Sequence, residues 1–328
     1  MEEIVVHRKM VAVACLIAAL GGLCASPLQA QNYPTQPIKL IVPISVGSVT
    51  DVAARLMAQE LEQRLGQSVV VINKPGGAMV IGGSECAKSP PDGYTVCLVN
   101  NDTMSFNPLT VPNLPYDPQK NFLPVINMYY VVEGFGIRPD LPLNSVSDLR
   151  AKAVAEPDKL NFGVLGQRTI SDAFRQWLGE QWQTSFVAIP YKGGSEIVNA
   201  LLSGAIDLTK IGLGNMVGQV KEGKIRVLAI TSMDRWSQLP DVPTIGESGL
   251  GGFPGSPIYW GVMVPTGTPA TIVRRLHDEL LGVLRGPKFA AFAKENFLDL
   301  AAGSTEEFGA FLVKDLHNAS TVVERYMR

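Results

Sequence analysis

Residues 38–73, IKLIVPISVGSVTDVAARLMAQELEQRLGQSVVVIN, carry the pattern that decides the fold. Ile38 to Pro43 is a short, almost uninterrupted apolar run of strand length, ended by the turn-prone Ser45-Val46-Gly47-Ser48. From Thr50 to Leu65 the apolar residues recur at helical spacing, and Gly66 stops the repeat. Val69 to Ile72 is β-branched and closes at Asn73-Lys74-Pro75-Gly76-Gly77. A strand, an amphipathic helix and a second strand in this order predict a parallel pair joined by a crossover helix.

The same rhythm runs outward along the chain. A helix is expected around 82–88, a strand over 94–99 after the Pro91-Asp92-Gly93 turn, and a second group of alternating units between 147 and 231. That group reads helix 147–155, strand 161–164, helix 170–181, strand 186–189, helix 196–202, strand 205–211 and strand 224–231. The C-terminal part is mostly helical, over 269–284, 287–296 and 305–326. Two extended segments, 129–138 and 257–265, are placed to cross between two lobes. The expectation is therefore an α/β protein of two lobes, each a mostly parallel sheet flanked by helices, joined by a two-strand hinge. Residues 31–130 with 256–328 would form a discontinuous first lobe and 131–255 the second. About 300 residues suit two cores better than one. A ligand of such a protein would lie where strand ends and helix N-termini of both lobes face each other.

Residues 1–30 have the layout of a cleaved secretory signal: basic His7, Arg8 and Lys9, then an uncharged stretch from Met10 to Leu23, then a small residue at Ala30. That stretch is short for a membrane span, which needs roughly 20 residues. A lipoprotein is the weaker alternative, because Leu23 precedes Cys24 where a small residue is wanted and Cys15 comes too early. The expected location is periplasmic. The leader holds two basic and two acidic residues, so the net charge of −2 is unchanged by its removal. A chain without a basic stripe is not built for nucleic acid. Of four cysteines, Cys86 and Cys97 lie outside the leader. Export permits a disulfide between them and two buried thiols are the alternative, with the bridge the favoured of the two.

The residues offer little for catalysis. Three histidines exist; His7 is in the leader, and His277 and His317 sit in helices dense in charge. A Ser-His-Asp site or a His-rich metal site has almost nothing to build with. Gly212-Leu213-Gly214-Asn215-Met216-Val217-Gly218 has its third glycine one residue too late for a dinucleotide fingerprint. No cofactor and no enzymatic activity are expected. What remains is four loops rich in Gly, Ser, Thr and Asn, at 45–51, 100–103, 166–171 and 191–195. They bring neutral donors and helix N-termini together, which is how a near-neutral protein holds a small anion.

The chain resembles the solute receptors of tripartite tricarboxylate transporters, the Bug receptors, along essentially all of its length after the leader. The likeness is carried by Tyr33-Pro34-Thr35-Gln36-Pro37-Ile38-Lys39, Asn73-Lys74-Pro75-Gly76-Gly77, Pro91-Asp92-Gly93-Tyr94-Thr95 and Asn107-Pro108. It continues through Leu114-Pro115-Tyr116-Asp117-Pro118, Pro190-Tyr191-Lys192-Gly193, Leu239-Pro240-Asp241-Val242-Pro243-Thr244 and Pro265-Thr266-Gly267-Thr268-Pro269. The resemblance implies a type II-like periplasmic-binding-protein fold that closes on its ligand by hinge motion, and a monomer. It implies a small organic acid as ligand and a membrane permease of one large and one small subunit as transient partner. A sensor kinase in place of the permease is the alternative.

Carried over by position, the resemblance implies a first-lobe carboxylate loop of Val46, Gly47, Ser48, Val49, Thr50 and Asp51, joined by Asn100 and Asn101. The second-lobe loop is Gly166, Gln167, Arg168 and Thr169, with Tyr191, Lys192 and Gly193 nearby. Two departures stand out. The family usually has two or three glycines before the aspartate, whereas this chain has only Gly47 and then Ser48 and Val49. Val49 would resist a positive φ and narrow the backbone approach. Arg168 stands where a small or polar residue is usual; facing the cleft it would pair with a second carboxylate, and facing solvent it would say nothing of the ligand.

Overall fold

The computed structural model describes residues 33–327; the expected leader over residues 1–30 lies outside them. In chain order, β1 (Ile38–Val42) leads into α1 (Val49–Leu65), then β2 (Val69–Asn73), α2 (Val80–Ala87) and β3 (Thr95–Val99). A helical turn at 102–110 precedes β4 (Phe122–Val131), and only Val132 separates β4 from β5 (Glu133–Ile137). The second group is α3 (Val146–Ala155), β6 (Asn161–Val164), α4 (Ile170–Trp182), β7 (Val187–Pro190), α5 (Gly194–Ser203), β8 (Leu208–Gly212) and β9 (Arg226–Ile230). The chain finishes with β10 (Tyr259–Pro265), α6 (Ala270–Leu284), α7 (Pro287–Glu295), β11 (Leu298–Leu300) and α8 (Thr305–Tyr326).

The strands form two sheets, one of six strands in the order β11-β4-β10-β3-β1-β2 and one of five in the order β7-β6-β8-β5-β9. β1 runs parallel to β2 and β3, and β6 parallel to β7 and β8, as crossover helices require. Both sheets are nevertheless mixed and not mostly parallel. β10 is antiparallel to β3 and β4, β11 to β4, and β5 to β8 and β9. The reason lies in the crossings. β5 enters the second sheet directly from β4 of the first, and β10 returns from the second, so no helix dictates their direction.

The two sheets bury separate cores. One face of the second sheet packs Phe135, Phe162, Phe174, Trp177 and Trp182 into an aromatic cluster, and Ala319, Val322 and Tyr326 of α8 join it. Residues 319–327, expected with the first lobe, thus pack into the second sheet's core. In the first sheet, Cys86 of α2 is disulfide-bonded to Cys97 of β3, with Cα atoms 6.2 Å apart. Both cysteines are buried against Tyr116, Phe122 and Tyr259. No helix among the described residues is long and apolar enough to cross a membrane.

Candidate ligand-binding cleft

The loop after β1 turns because Gly47 adopts φ 82, a conformation that L side chains rarely take. The positive φ falls on Gly47 alone. Ser48 is extended at φ −70, ψ 154, and Val49 begins α1, so the expected obstruction by Val49 does not arise. Asp51 holds the loop from inside the first helical turn. Its carboxylate accepts from Gly47 N at 3.0 Å, from Arg55 Nε and Nη2, and from Asn73 Nδ2 at 2.8 Å. Burial alone would raise the Asp51 pKa, but the bonds from Arg55, Gly47 and Asn73 outweigh it and hold it below the usual range. Asp51 is therefore a brace. Asn73 completes the brace by donating to Ile44 O at 3.1 Å.

Ser48 is the exception in this loop. It stands at the N-cap position of α1, where a serine ordinarily accepts from the first-turn N–H groups, yet it makes no capping bond. The residue is 1% exposed and its Oγ has no hydrogen-bond partner. A buried, unpartnered hydroxyl costs roughly 1–3 kcal/mol, which calls for a role. Directly opposite lies Gly193 of the second sheet: a Cβ there would sit 2.9 Å from Ser48 Oγ and 2.8 Å from Ser45 Cβ. The second-sheet loop approaches this closely only as glycine.

The loops of the two sheets meet in two pairs. Ser45 Oγ donates to Glu196 Oε1 at 2.6 Å, Val49 N–H to Asn215 Oδ1 at 2.9 Å, and Ser195 Oγ to Val46 O at 3.2 Å. Further along, Ile170 N–H, the first of α4, donates to Asp102 Oδ1 at 2.8 Å. Asp102 is wholly buried. Burial pushes its pKa up to about 7, Asp315 and Glu133 add to the rise, and the bonds from Ile170 N and Asn100 oppose it without prevailing.

Several residues singled out from the sequence turn away from the cleft. Asn101 donates to Pro257 O and to Asp315 Oδ1 and accepts from Tyr259 N–H, so it ties β3 to β10 and α8. Asn100 Oδ1 accepts from both Thr103 N and Oγ1, which folds it onto its own turn. Thr169 caps α4, accepting from Asp172 N. Arg168 is exposed and has φ 58; its guanidinium donates to Met327 O at 3.3 Å. The arginine thus serves the end of the chain, and of the two orientations open to it the one that would pair with a second carboxylate is not set up. Gln167 and Lys192 are exposed, and Gly166 and Tyr191 are half-buried. Ser45, Asp102, Glu196 and Asn215 were not singled out as ligand-binding residues. No spacing reveals them, because each acquires its position only when the two sheets meet.

A cavity of about 820 Å³ opens beside the hinge strands, lined by Tyr130, Glu133, Trp177, Lys210, Trp236 and Phe253 among others. None of the four polar loops contributes to its wall. Glu133 and Lys210 form a buried ion pair there, with Lys210 Nζ 4.5 Å from the centre of the Phe174 ring. Among the described residues, no cluster of His, Cys, Asp and Glu could hold a metal ion.

Residues 53–327 match the tripartite tricarboxylate transporter family receptor profile. The chain belongs to this receptor family. It is similar to the periplasmic binding protein BugD, with 30% identity and a TM-score of 0.85 over 90% of this chain and 98% of that one. A Rhodopseudomonas palustris protein solved with adipate matches at 30% identity and a TM-score of 0.85, covering 89% of this chain and 97% of its own. MatC of the same organism, with bound malate, matches at 25% and 0.83 over 89% of this chain and all of its own. These receptors are two-lobed α/β solute-binding proteins and not enzymes, and this chain shares their fold and class.

Proposed function

We propose that this receptor captures a small organic acid between its two sheets and delivers it to a membrane permease of one large and one small subunit. The carrying observation is the Ser48 hydroxyl, buried, unpartnered and seated at the N-terminus of a 17-residue helix. That helix end presents first-turn N–H groups and a partial positive charge, which together favour a carboxylate. The carboxylate would take one hydrogen bond from Ser48 Oγ and others from the α1 backbone, with Gly193 and Ser195 closing over it. The adipate and malate found in structural neighbours support an acid as the ligand class. The ligand-binding set would then be Val46–Asp51 with Tyr191–Gly193. In this reading the lobes are 31–130 with 256–328, and 131–255, with the end of α8 reaching across to the second sheet's core, and the receptor works in the periplasm.

Native mass spectrometry of protein purified without refolding, followed by a thermal-shift panel of carboxylates, tests the reading. A co-purified or stabilising acid whose effect falls with Ser48→Ala is expected. A panel in which no acid raises the melting temperature would overturn it.

A further inference from the structure

The start of α1 already has an occupant, supplied by the other sheet. β8 runs into the turn Leu213–Asn215, and Asn215 lies against α1. Its Nδ2 donates to Gly212 O at 3.0 Å, which turns its Oδ1 toward the first N–H of the helix, Val49 N, 2.9 Å away. The fit is close. A Cβ on Gly214 would come within 3.0 Å of Val49 Cγ2, and one on Gly194 within 2.5 Å of Asn215 Oδ1. Asn215 thus satisfies a first-turn N–H of α1, a service that Ser48 at the N-cap position does not perform.

This contact is an incomplete substitute for an anion. Val49 N–H is met by a neutral amide oxygen, and Ser45 Oγ by Glu196 Oε1 at 2.6 Å, but the buried Ser48 hydroxyl is met by neither. The residue facing that hydroxyl, Gly193, has no side chain to offer it. A carboxylate seated at the α1 end would accept from Ser48 Oγ and Val49 N–H together, once Asn215 has withdrawn. Hydrogen bonds to a charged acceptor are about twice as strong as neutral ones, and the helix end favours negative charge. An amide oxygen at this place therefore holds the two loops together and still yields to an acid.

We propose that Asn215 is an internal competitor for the acid: it draws the second sheet's loop onto the α1 end through the N–H that the acid needs, and so sets how tightly the acid is bound. This rests on the reading of the α1 end as the carboxylate site. Asn215 is then a positioning residue, acting through Val49 N–H. The apparent dissociation constant exceeds the intrinsic one by the inverse of the fraction of molecules in which that N–H is free. Weakening the Asn215 contact raises this fraction and tightens binding. Glu196 also takes a donor of the first loop, but it holds Lys192 N–H at 3.0 Å as well, so Asn215 is the cleaner position to change.

Isothermal titration of the full chain and of Asn215→Ala with adipate, malate, citrate and benzoate tests the proposal. The variant is expected to bind the acid with a dissociation constant about fivefold lower than the wild type, the worth of one net hydrogen bond. A gain in affinity is a result that a merely structural defect does not produce. Should Asn215→Ala fail to fold, Asn215→Ser takes its place with the same expectation, its hydroxyl being too short to reach Val49 N–H. Equal or weaker binding by the variant overturns the proposal, and would make Asn215 a clasp of the loaded receptor. Binding of none of these acids by either protein overturns the carboxylate reading itself, and the competition with it.

Discussion

Replacing Asp102 by Asn should reshape the dependence of stability on pH. In the folded chain burial holds the Asp102 pKa at about 7 against an ordinary 3.8. Between roughly pH 4 and pH 7 the folded protein therefore keeps a proton that the unfolded chain has released. Folding stability then falls as pH rises through this window and levels off above it. A rise of about three units at 1.36 kcal/mol each bounds the loss at about 4 kcal/mol. Asp315, also raised by burial, works in the same direction, whereas Asp51, held low, contributes stability that disappears as pH falls. Subtracting wild type from Asp102→Asn removes the Asp51 contribution, while Asp315, which interacts with Asp102 by charge, shifts the difference in the same direction as Asp102 itself. Urea denaturation at pH 4.5, 6 and 8 should show the two proteins within about 1 kcal/mol at the lowest pH. The variant should be the more stable at pH 8 by up to about 4 kcal/mol. A difference that does not change with pH would refute the reasoning, because it would mean that Asp102 ionises as freely in the folded chain as in the unfolded one.

Lys210→Met leaves Glu133 buried without its cation and should cost about 3–5 kcal/mol in urea denaturation, most of it recovered by adding Glu133→Gln. Gly193→Ala places a Cβ within 2.8 Å of Ser45 Cβ and 2.9 Å of Ser48 Oγ. Since φ at 193 is extended, the variant should fold but remain more open, with a larger radius of gyration by X-ray scattering; a wild-type radius would contradict the contact. The Cys86–Cys97 bridge spans 11 positions, so Cys86→Ser/Cys97→Ser should lower unfolding free energy by about 3 kcal/mol, and an unchanged denaturation midpoint would refute that figure.

Local periodicity was enough for most elements, because helix spacing and strand runs are properties of neighbours in sequence. Asn161–Val164 and Thr305–Tyr326 coincide with their expected spans. β11 escaped notice since Leu298–Leu300 is too short to show any period, and it exists only by pairing with β4. The direction of β5 and β10 was equally illegible. A pattern announces an extended segment, but which way it runs in a sheet depends on where the chain last left. Side chains at the cleft depend on still more distant partners. Asn101 reads as a donor at a strand end, yet Asp315, 214 residues away, turns it into a brace. Arg168 reads equally as an anion clamp or a solvent-facing residue until Met327 O, 159 residues away, claims its guanidinium.

Several residues that carry the family resemblance hold backbone in place, and their bonds show how. Asn73 fixes the first loop through Ile44 O and Asp51. Asn107 donates to Ala78 O and Tyr116 Oη, and Tyr116 donates in turn to Thr103 O. Such motif residues hold backbone in shape, and the shape that offers helix N-termini across a cleft serves any anion. The motifs therefore mark the receptor class and do not by themselves distinguish one acid from another.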